Sequence, residues 1–231
     1  YQGLPPAANQ RNYDSTTATN YNWGISTPDL LEALELKEGT IEYRNGIYEG
    51  QLQELRPHGK GIWRSADGAL YDGDWVEGEY HGEGSYRNAK DNYYNGGWKQ
   101  GRRDGMGVYL FRNGDWYQGE WKEGNMHGKG EACYADTGNI YRGQWQNNLR
   151  HGHGVSQIAC NKASFKGHYI TFEGEYRLNK RQGKFIITTP QGSQCELDFK
   201  DNKPIRGSSR LIKLSMKSGK SQLCLDKWMK R

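Results

Sequence analysis

A motif that recurs about every 23 residues dominates the sequence. An aromatic residue followed two positions later by glycine begins each copy, and successive copies are spaced by 23, 23, 23, 24 and 31 residues. The six copies begin at Tyr48, Tyr71, Tyr94, Tyr117, Tyr141 and Phe172. A fixed period of this length indicates a repeat protein, in which each unit packs on its neighbours along the chain. The longest spacing indicates an insertion between Gly154 and Phe172.

The interior of each unit repeats as well. A second large ring follows the first after four residues as Trp75, Trp98, Trp121, Trp145 and Tyr176, while the first unit has Leu52. Ten residues after the first ring stands His58, His81, Asp104, His127, His151 or Gln182. Glycine always follows that residue, and a second glycine stands two positions further on in five units; the sixth has Phe185.

This spacing predicts a β-hairpin in each unit. In Tyr-x-Gly-x-Trp the ring, the glycine and the second ring alternate, so a strand places them on one face while charged residues take the other. Glycine inside a strand permits close approach, here of a ring from an adjacent strand. Gly78, Gly101, Gly124, Asn148 and Asn179 then supply turn residues that accept positive φ, before a second strand. A lone hairpin is marginally stable, so stability must come from stacking of neighbours.

The combined pattern resembles the MORN repeat (membrane occupation and recognition nexus). The segment 117–130, YQGEWKEGNMHGKG, is close to the idealised sequence of that family. The fold expected from the residues and from this resemblance is all-β: an elongated, single-layer antiparallel sheet of tandem β-hairpins, with a short N-terminal helix and a basic C-terminal extension.

Three regions are expected. Residues 1–38 form an N-terminal arm and a short capping helix, because Thr27-Pro28 is a good helix start and Leu30, Leu31, Leu34 and Glu38 follow at helical spacing. Residues 39–207 form the array, with six full repeats at 48–194 and a half-repeat on each side. Residues 208–231 form a basic extension: residues 200–231 contain ten Lys or Arg and two Asp, a net charge of +8, within a chain whose total is +5.

The composition bears on where in the cell the chain is located. No apolar run approaches the ~18 residues that a membrane-spanning helix needs. The four cysteines lie far apart and no Asn-x-Ser/Thr site occurs, which favours a reducing, cytoplasmic location. The sequence begins with Tyr1 rather than Met, from which we expect a trimmed or processed chain.

No catalytic or cofactor motif is found. The Gly-x-Gly pairs lack the third glycine of a dinucleotide fingerprint, and no P-loop ends in Gly-Lys-Ser/Thr. The recurring histidines would lie two strands apart, roughly 10 Å, too far to share one zinc ion. We therefore expect no metal, no cofactor and no enzymatic activity in this chain.

Two groups of residues are candidates for structural or binding roles. The first is a set of repeat aromatics, whose fixed recurrence favours a packed core over stacking on nucleic-acid bases: Tyr48, Trp63, Tyr71, Trp75, Tyr94, Trp98, Tyr117, Trp121, Tyr141, Trp145, Phe172 and Tyr176. The second is a set of basic residues that could contact an anionic partner: Arg210, Lys213, Lys217, Lys220, Lys227, Lys230 and Arg231.

The resemblance implies a function without catalysis. Similar proteins include radial-spoke-head components of cilia and flagella, junctional membrane tethers and apicomplexan cytoskeletal rings. We expect a protein–protein scaffold in a cytoskeletal or ciliary assembly, with other proteins as partners and not nucleic acid. Two alternatives remain open: a tether that binds anionic lipids such as phosphoinositides, and an accessory subunit of an enzyme complex.

Overall fold

A computed structural model describes residues 35–160 and 167–213. The chain divides into two units, Tyr1–Glu35 and Leu36–Arg231, and all described strands belong to the second. Within the described residues this unit contains strands and no helix, which confirms the all-β prediction. The strands are β1 (Lys37–Glu42), β2 (Gly46–Gln53), β3 (Arg56–Ser65), β4 (Leu70–Val76), β5 (Glu79–Arg87), β6 (Tyr93–Lys99), β7 (Arg102–Leu110), β8 (Trp116–Lys122), β9 (Asn125–Tyr134), β10 (Asn139–Gln146), β11 (Leu149–Ala159), β12 (Tyr169–Arg177), β13 (Lys180–Thr188), β14 (Gln194–Lys200), β15 (Lys203–Pro204) and β16 (Arg210–Lys213).

These strands form one open antiparallel sheet. Strands β1 to β15 are neighbours in chain order, and β16 also pairs with β14. Every strand from β2 to β13 is thus hydrogen-bonded to the strand before it and the strand after it. Tandem hairpins in a single sheet are the arrangement that the repeat pattern predicts.

Two-residue turns connect the paired strands of each repeat. Both residues of each turn have positive φ, between 49° and 84°, which is the geometry of a type I′ turn. The second residue is Gly78, Gly101, Gly124, Asn148 or Asn179, as the sequence predicts, and Leu55 in the first repeat. The first residue is Asn147 in the fifth repeat but Glu, Gln or Leu in the other repeats, for instance Glu77 or Leu178, so these other turns carry strain that their surroundings must offset.

From the second repeat onward, each turn is bonded to the hairpin before it. The N–H of the second turn residue donates to a carbonyl of the preceding hairpin at 2.8–3.2 Å, as from Gly78 to Pro57, Gly124 to Arg103 and Asn179 to Arg150. The bond recurs at every repeat junction from Gly78 to Asn202. Stacking of neighbours therefore stabilises the local conformation that each hairpin needs.

The two faces of the sheet differ in chemistry. We call one the aromatic face; it carries Tyr71, Gly73 and Trp75, their equivalents in the other repeats, and the residues directly opposite them on neighbouring strands. The other, the polar face, carries Asp72, Asp74 and their equivalents. The largest buried side chains lie on the aromatic face, so the core of this single sheet is a layer of rings.

The structure shows where the insertion lies and where the first strand begins. The insertion lengthens β11 and β12, which pair as far as Ala159 and Tyr169, and the N–H of Cys160 donates to the carbonyl of His168 across its loop. At the other end β1 begins at Lys37, so Glu38 is in a strand and not at the end of the expected helix, because it pairs with Gln51. The rest of that helix and residues 214–231 lie outside the described residues.

Candidate functional site

The tyrosine that opens a repeat lies over two glycines. In five repeats its hydroxyl donates to the carbonyl three residues further on, at 2.6–3.0 Å, as from Tyr71 to Asp74. The ring covers Gly73 on its own strand and Gly84 on the adjacent strand. A Cβ atom on the second glycine of each such pair would lie 2.2–2.4 Å from the hydroxyl oxygen. Glycine is therefore required at these positions because the ring occupies the side-chain space.

The tryptophans join one repeat to the next. In each of Trp75, Trp98, Trp121 and Trp145 the indole Nε1 donates to a glycine carbonyl of the preceding hairpin, at 3.0–3.3 Å. Each acceptor is the second glycine of that hairpin's His-Gly-x-Gly segment or its equivalent. One side chain thus fills space on the aromatic face and also satisfies a buried polar group.

Alternating tyrosine and tryptophan rings form a continuous row, which we call the aromatic ladder. Successive rings meet edge to face with centroids 5.0–5.5 Å apart, and each such pair contributes ~0.5–1.5 kcal/mol beyond its buried area. The ladder runs through Tyr48, Trp75, Tyr71, Trp98, Tyr94, Trp121, Tyr117, Trp145, Tyr141, Tyr176, Phe185 and Phe199.

The sixth repeat departs from the pattern by two coupled changes. Phe172 replaces the tyrosine, and Phe185 replaces the second glycine opposite Gly174. The Phe185 ring lies against Gly174, where an added Cβ would come within 2.8 Å of it, and continues the ladder between Tyr176 and Phe199. The ring over the glycine therefore comes from the opposite strand of the hairpin.

All twelve repeat aromatics named from the sequence are buried, with exposed fractions of 9% or less. Trp63 lies opposite Tyr48 and Tyr71, and its Nε1 donates to the carbonyl of Tyr43 at 2.7 Å. Burial, with a smaller contribution from the charge of Glu38, raises the pKa of Tyr48 to about 12. The phenols thus stay neutral near neutral pH, as a packed layer requires. These rings are packed inside the fold.

A row of side chains that the repeat pattern does not single out caps the ladder. It consists of the second residue after each turn, which includes Tyr80, Arg103, Arg150 and Arg181. The Arg103 guanidinium lies 4.3 Å from the Trp121 ring centroid, and Arg103 donates to the carbonyl of Gly124 at 2.8 Å. Burial lowers the pKa of Arg103. Arginine recurs nine residues after the opening ring in three repeats, and this recurrence was the available sequence signal. It was hard to recognise because Pro57 and Met126 occupy the same position in other repeats.

Each hairpin also has a β-bulge directly after its first glycine. In four repeats the residue between that glycine and the second ring position accepts a backbone N–H from the opposite strand at 2.8–3.1 Å. The acceptors are Gln51, Asp74, Glu120 and Gln144. We call this side chain, which accepts an N–H of the opposite strand, the clamp. The third repeat has Gly97 at this position and therefore lacks a clamp. Beside it, Gly105 has open space where a Cβ would be, whereas in those four repeats the clamp fills the equivalent space.

One of the recurring histidines, His58, lies beside the turn of the following repeat. The Nδ1 of His58 accepts the N–H of Glu77 at 3.5 Å, and Asp104 at the equivalent position accepts the N–H of Glu123 at 3.2 Å. Among residues 35–160 and 167–213, no three His, Cys, Asp or Glu side chains come together as a metal site would require.

We predict that the histidines hold no structural metal, because the recurring histidines lie in separate hairpins. Elemental analysis of the purified chain should find far less than one zinc per molecule, and a chelator should leave its thermal unfolding unchanged. Near-stoichiometric zinc together with unfolding on chelation would contradict this prediction.

Of the basic residues named from the sequence, Arg210 and Lys213 belong to β16 and are exposed. Lys217, Lys220, Lys227, Lys230 and Arg231 lie outside the described residues. In the part of the chain that is described, no helix is long and apolar enough to span a membrane.

Comparison with known families agrees with the geometry. The family model of the MORN repeat matches residues 48–70, 71–93, 94–116, 117–138, 141–159 and 172–184, which is more than half of the chain. The chain belongs to the MORN-repeat family. A member of this family is a protein-interaction or membrane-binding repeat protein. The last two matched segments are the shortest, in agreement with the insertion and with the altered sixth MORN repeat.

Other comparisons add little. No curated protein matches this MORN-repeat chain in sequence. Among solved structures, one match is the SAS-4 (dCPAP) TCP domain of Drosophila melanogaster in complex with a proline-rich motif of Ana2 (dSTIL). The TM-score is 0.32 at 8% identity, over 77% of this chain and 90% of that one. A likeness of this size carries no argument about the function of the chain.

Proposed function

We propose that this MORN-repeat protein is a non-catalytic scaffold that binds other proteins of a larger assembly. The observation that carries the proposal is the aromatic ladder, which runs without interruption through the six repeats and uses their rings for internal packing. A continuous core of this kind fixes neighbouring hairpins relative to one another, and leaves the polar face to present side chains at regular intervals. Such a surface can hold partner proteins in a fixed arrangement.

The cytoskeletal or ciliary setting is part of the same proposal. It is supported by the resemblance to radial-spoke-head proteins, which the six repeats and the turn sequence YADTG at 134–138 favour over the other similar proteins. Fractionation of the native cells should place the chain with detergent-insoluble cytoskeleton or axonemes. Recovery of the chain entirely in the soluble or membrane fraction would count against this setting.

Crosslinking of the native assembly tests the scaffold. The tagged full chain would be isolated from its own cells, treated with a lysine-reactive crosslinker and analysed by mass spectrometry. The exposed polar-face lysines Lys99, Lys122 and Lys129 should crosslink to the same few partner proteins in repeated preparations. Crosslinks confined to the chain itself would contradict the scaffold proposal.

A membrane tether is the second candidate, because the C-terminal residues 200–231 carry a net charge of +8. Each basic residue near an anionic surface contributes about 1 kcal/mol of binding, and salt weakens that attraction. A tether would therefore sediment with phosphatidylserine or phosphoinositide vesicles at low salt, and lose this binding when the basic residues are removed.

We predict the scaffold outcome in that assay: weak sedimentation with little lipid selectivity. Truncation after Lys213 removes residues 214–231 but keeps β15 and β16, both of which pair with β14, so the sheet edge stays covered. Replacement of Arg210 and Lys213 by Gln tests the described basic residues without truncation. Strong phosphoinositide-selective binding that survives both changes would overturn the ranking of scaffold over tether.

A further inference from the structure

Strand β7 differs from the other strands at its positions on the polar face. Three of its residues point to that face, and all three are apolar: Met106, Val108 and Leu110. The equivalent strands β3, β5, β9, β11 and β13 each have at most one clearly apolar aliphatic residue at the same three positions, for example Ile186 in β13. The repeat core does not need these residues, because the core lies on the aromatic face.

The neighbours of β7 on the polar face are also mostly uncharged. Together with β7 they form a grid of nine positions on three strands, which we call the β7 patch. Two of its rows are directly paired residues, Tyr93–Leu110–Trp116 and Asn95–Val108–Gln118. In the third row Met106 pairs with Glu120, and Gly97 lies at the register shift between β6 and β7. Only Glu120 is charged, and it is the clamp that accepts the N–H of Lys129. Equivalent grids centred on the other five strands have three to five Asp, Glu, Lys or Arg each.

The patch is open to solvent. Met106 is 60% exposed, Leu110 44% and Tyr93 37%. Single apolar residues scattered over a surface are common, whereas a contiguous exposed apolar surface on an otherwise charged face often marks an interaction site. At the turn end of the patch, Met106 and Gly105 border an open groove of about 950 Å³.

Three cations border the same groove. Lys99 lies opposite Arg102 across the Gln100–Gly101 turn, and Lys122 lies on β8 beside them. None of the three has a carboxylate partner at ion-pair distance among the described residues.

The groove also has carboxylates. Those of Asp104 and Glu120 each accept a backbone N–H, and Glu123 lies on the rim. Among the described residues, the three cations and Glu123 therefore have no ion-pair partner, while Asp104 and Glu120 are held by backbone amides. Three cations thus border the groove with only one carboxylate that is not hydrogen-bonded to the backbone, and a ligand carboxylate would complement them.

We propose that the β7 patch binds a peptide segment of a partner protein. The apolar side chains of that segment cover Met106, Val108 and Leu110, and its Asp or Glu residues meet Lys99, Arg102 and Lys122. This inference rests on the proposed scaffold function and assigns it a docking surface. From Met106 to Leu110 the patch spans ~14 Å along the strand, at ~3.4 Å per residue, so a short segment suffices.

Selection from a phage library of random peptides of about 12 residues, long enough to cross the patch, tests the proposal on the immobilised full chain. Peptides with clustered apolar residues and carboxylates at one end should be enriched. The enriched peptide would be synthesised with a fluorophore and its binding measured by anisotropy. Its affinity should fall as salt rises, because ion pairs at an exposed rim are screened.

Paired variants locate the binding. The double variant Met106→Ser/Leu110→Ser should weaken the peptide about tenfold or more, the loss typical of removing interface anchors. The matched control, Ile47→Ser/Ile186→Ser, removes two exposed apolar residues elsewhere on the polar face and should leave affinity nearly unchanged. Lys99→Glu/Lys122→Glu should weaken binding, whereas Lys200→Glu/Lys203→Glu, at exposed positions on β14 and β15, should not. Thermal unfolding of each variant confirms that it folds.

Three results would overturn the proposal: no enriched peptide, enriched peptides that are basic, or equal binding to the patch and control variants. Binding of phosphatidylserine vesicles that is lost in Met106→Ser/Leu110→Ser would make the patch a lipid surface and would also overturn it. Peptides that bind outside the β7 patch would contradict this inference but not the scaffold function, because the crosslinking of partners tests the scaffold independently.

Discussion

Replacement of Trp121 by Ala should lower the free energy of unfolding by ~3–5 kcal/mol, the usual range for removing a buried large aromatic ring. Trp121 is 5% exposed and meets the rings of Tyr94 and Tyr117 edge to face. Its Nε1 donates to the carbonyl of Gly107 at 3.3 Å, so the change also leaves a buried acceptor without its partner. Loss of one ring interrupts the aromatic ladder in the middle of the array.

Chemical denaturation of the variant measures this effect, and Lys122→Ala is the matched control. Lys122 is the next residue on the same strand, but it is exposed on the polar face. We expect its change in stability to be within about 0.5 kcal/mol, as for surface positions generally. Equal effects of the two substitutions would show that the ladder does not hold the repeats together.

Replacement of Gly107 by Ala should also destabilise the array, by ~1–3 kcal/mol or more, since inserting a methyl group into a packed site forces backbone or ring shifts. A Cβ at Gly107 would lie 2.3 Å from the hydroxyl oxygen of Tyr94 and 2.6 Å from two of its ring carbons. That ring is itself buried and cannot move away. A loss of stability would be informative, because replacing Gly by Ala inside a strand otherwise stabilises a protein.

Gly39→Ala is the control for this substitution. Gly39 is also in a strand without positive φ, but the nearest atom to an added Cβ is the Cδ1 of the flexible Leu52 side chain, at 2.8 Å. Urea unfolding of both variants should show a clear loss only for Gly107→Ala. A loss at Gly39 as large as at Gly107 would mean that the ring over the glycine pair is not what excludes a side chain there.

The sequence predicted the fold well because strict periodicity reports the geometry of each hairpin. Alternation from Tyr71 through Gly73 to Trp75 placed them on one face, and Gly or Asn at the turn ends marked type I′ turns. Twenty-three-residue spacing then fixed the order of strands, since each hairpin can bury its rings only against the next one.

Features set by departures from the period were harder to predict. Arg103, Arg150 and Arg181 cap the ladder, but other repeats use Pro, Tyr or Met at the same position. The exchange of roles between Phe172 and Phe185 needs the register of β12 against β13. The β7 patch is visible only once the pairing of three strands shows which residues share a face, because Met106, Tyr93 and Trp116 are distant in sequence.

Hydroxyl-radical footprinting of the chain, first alone and then within its isolated native assembly, tests the scaffold proposal most directly. We expect polar-face side chains such as Met106, Leu110 and Tyr93 to be modified readily in the free chain and protected in the assembly. The buried ladder residue Trp121 should be protected in both. Equal modification of the polar face in the free and assembled chain would contradict the proposal that this sheet is a scaffold for partner proteins.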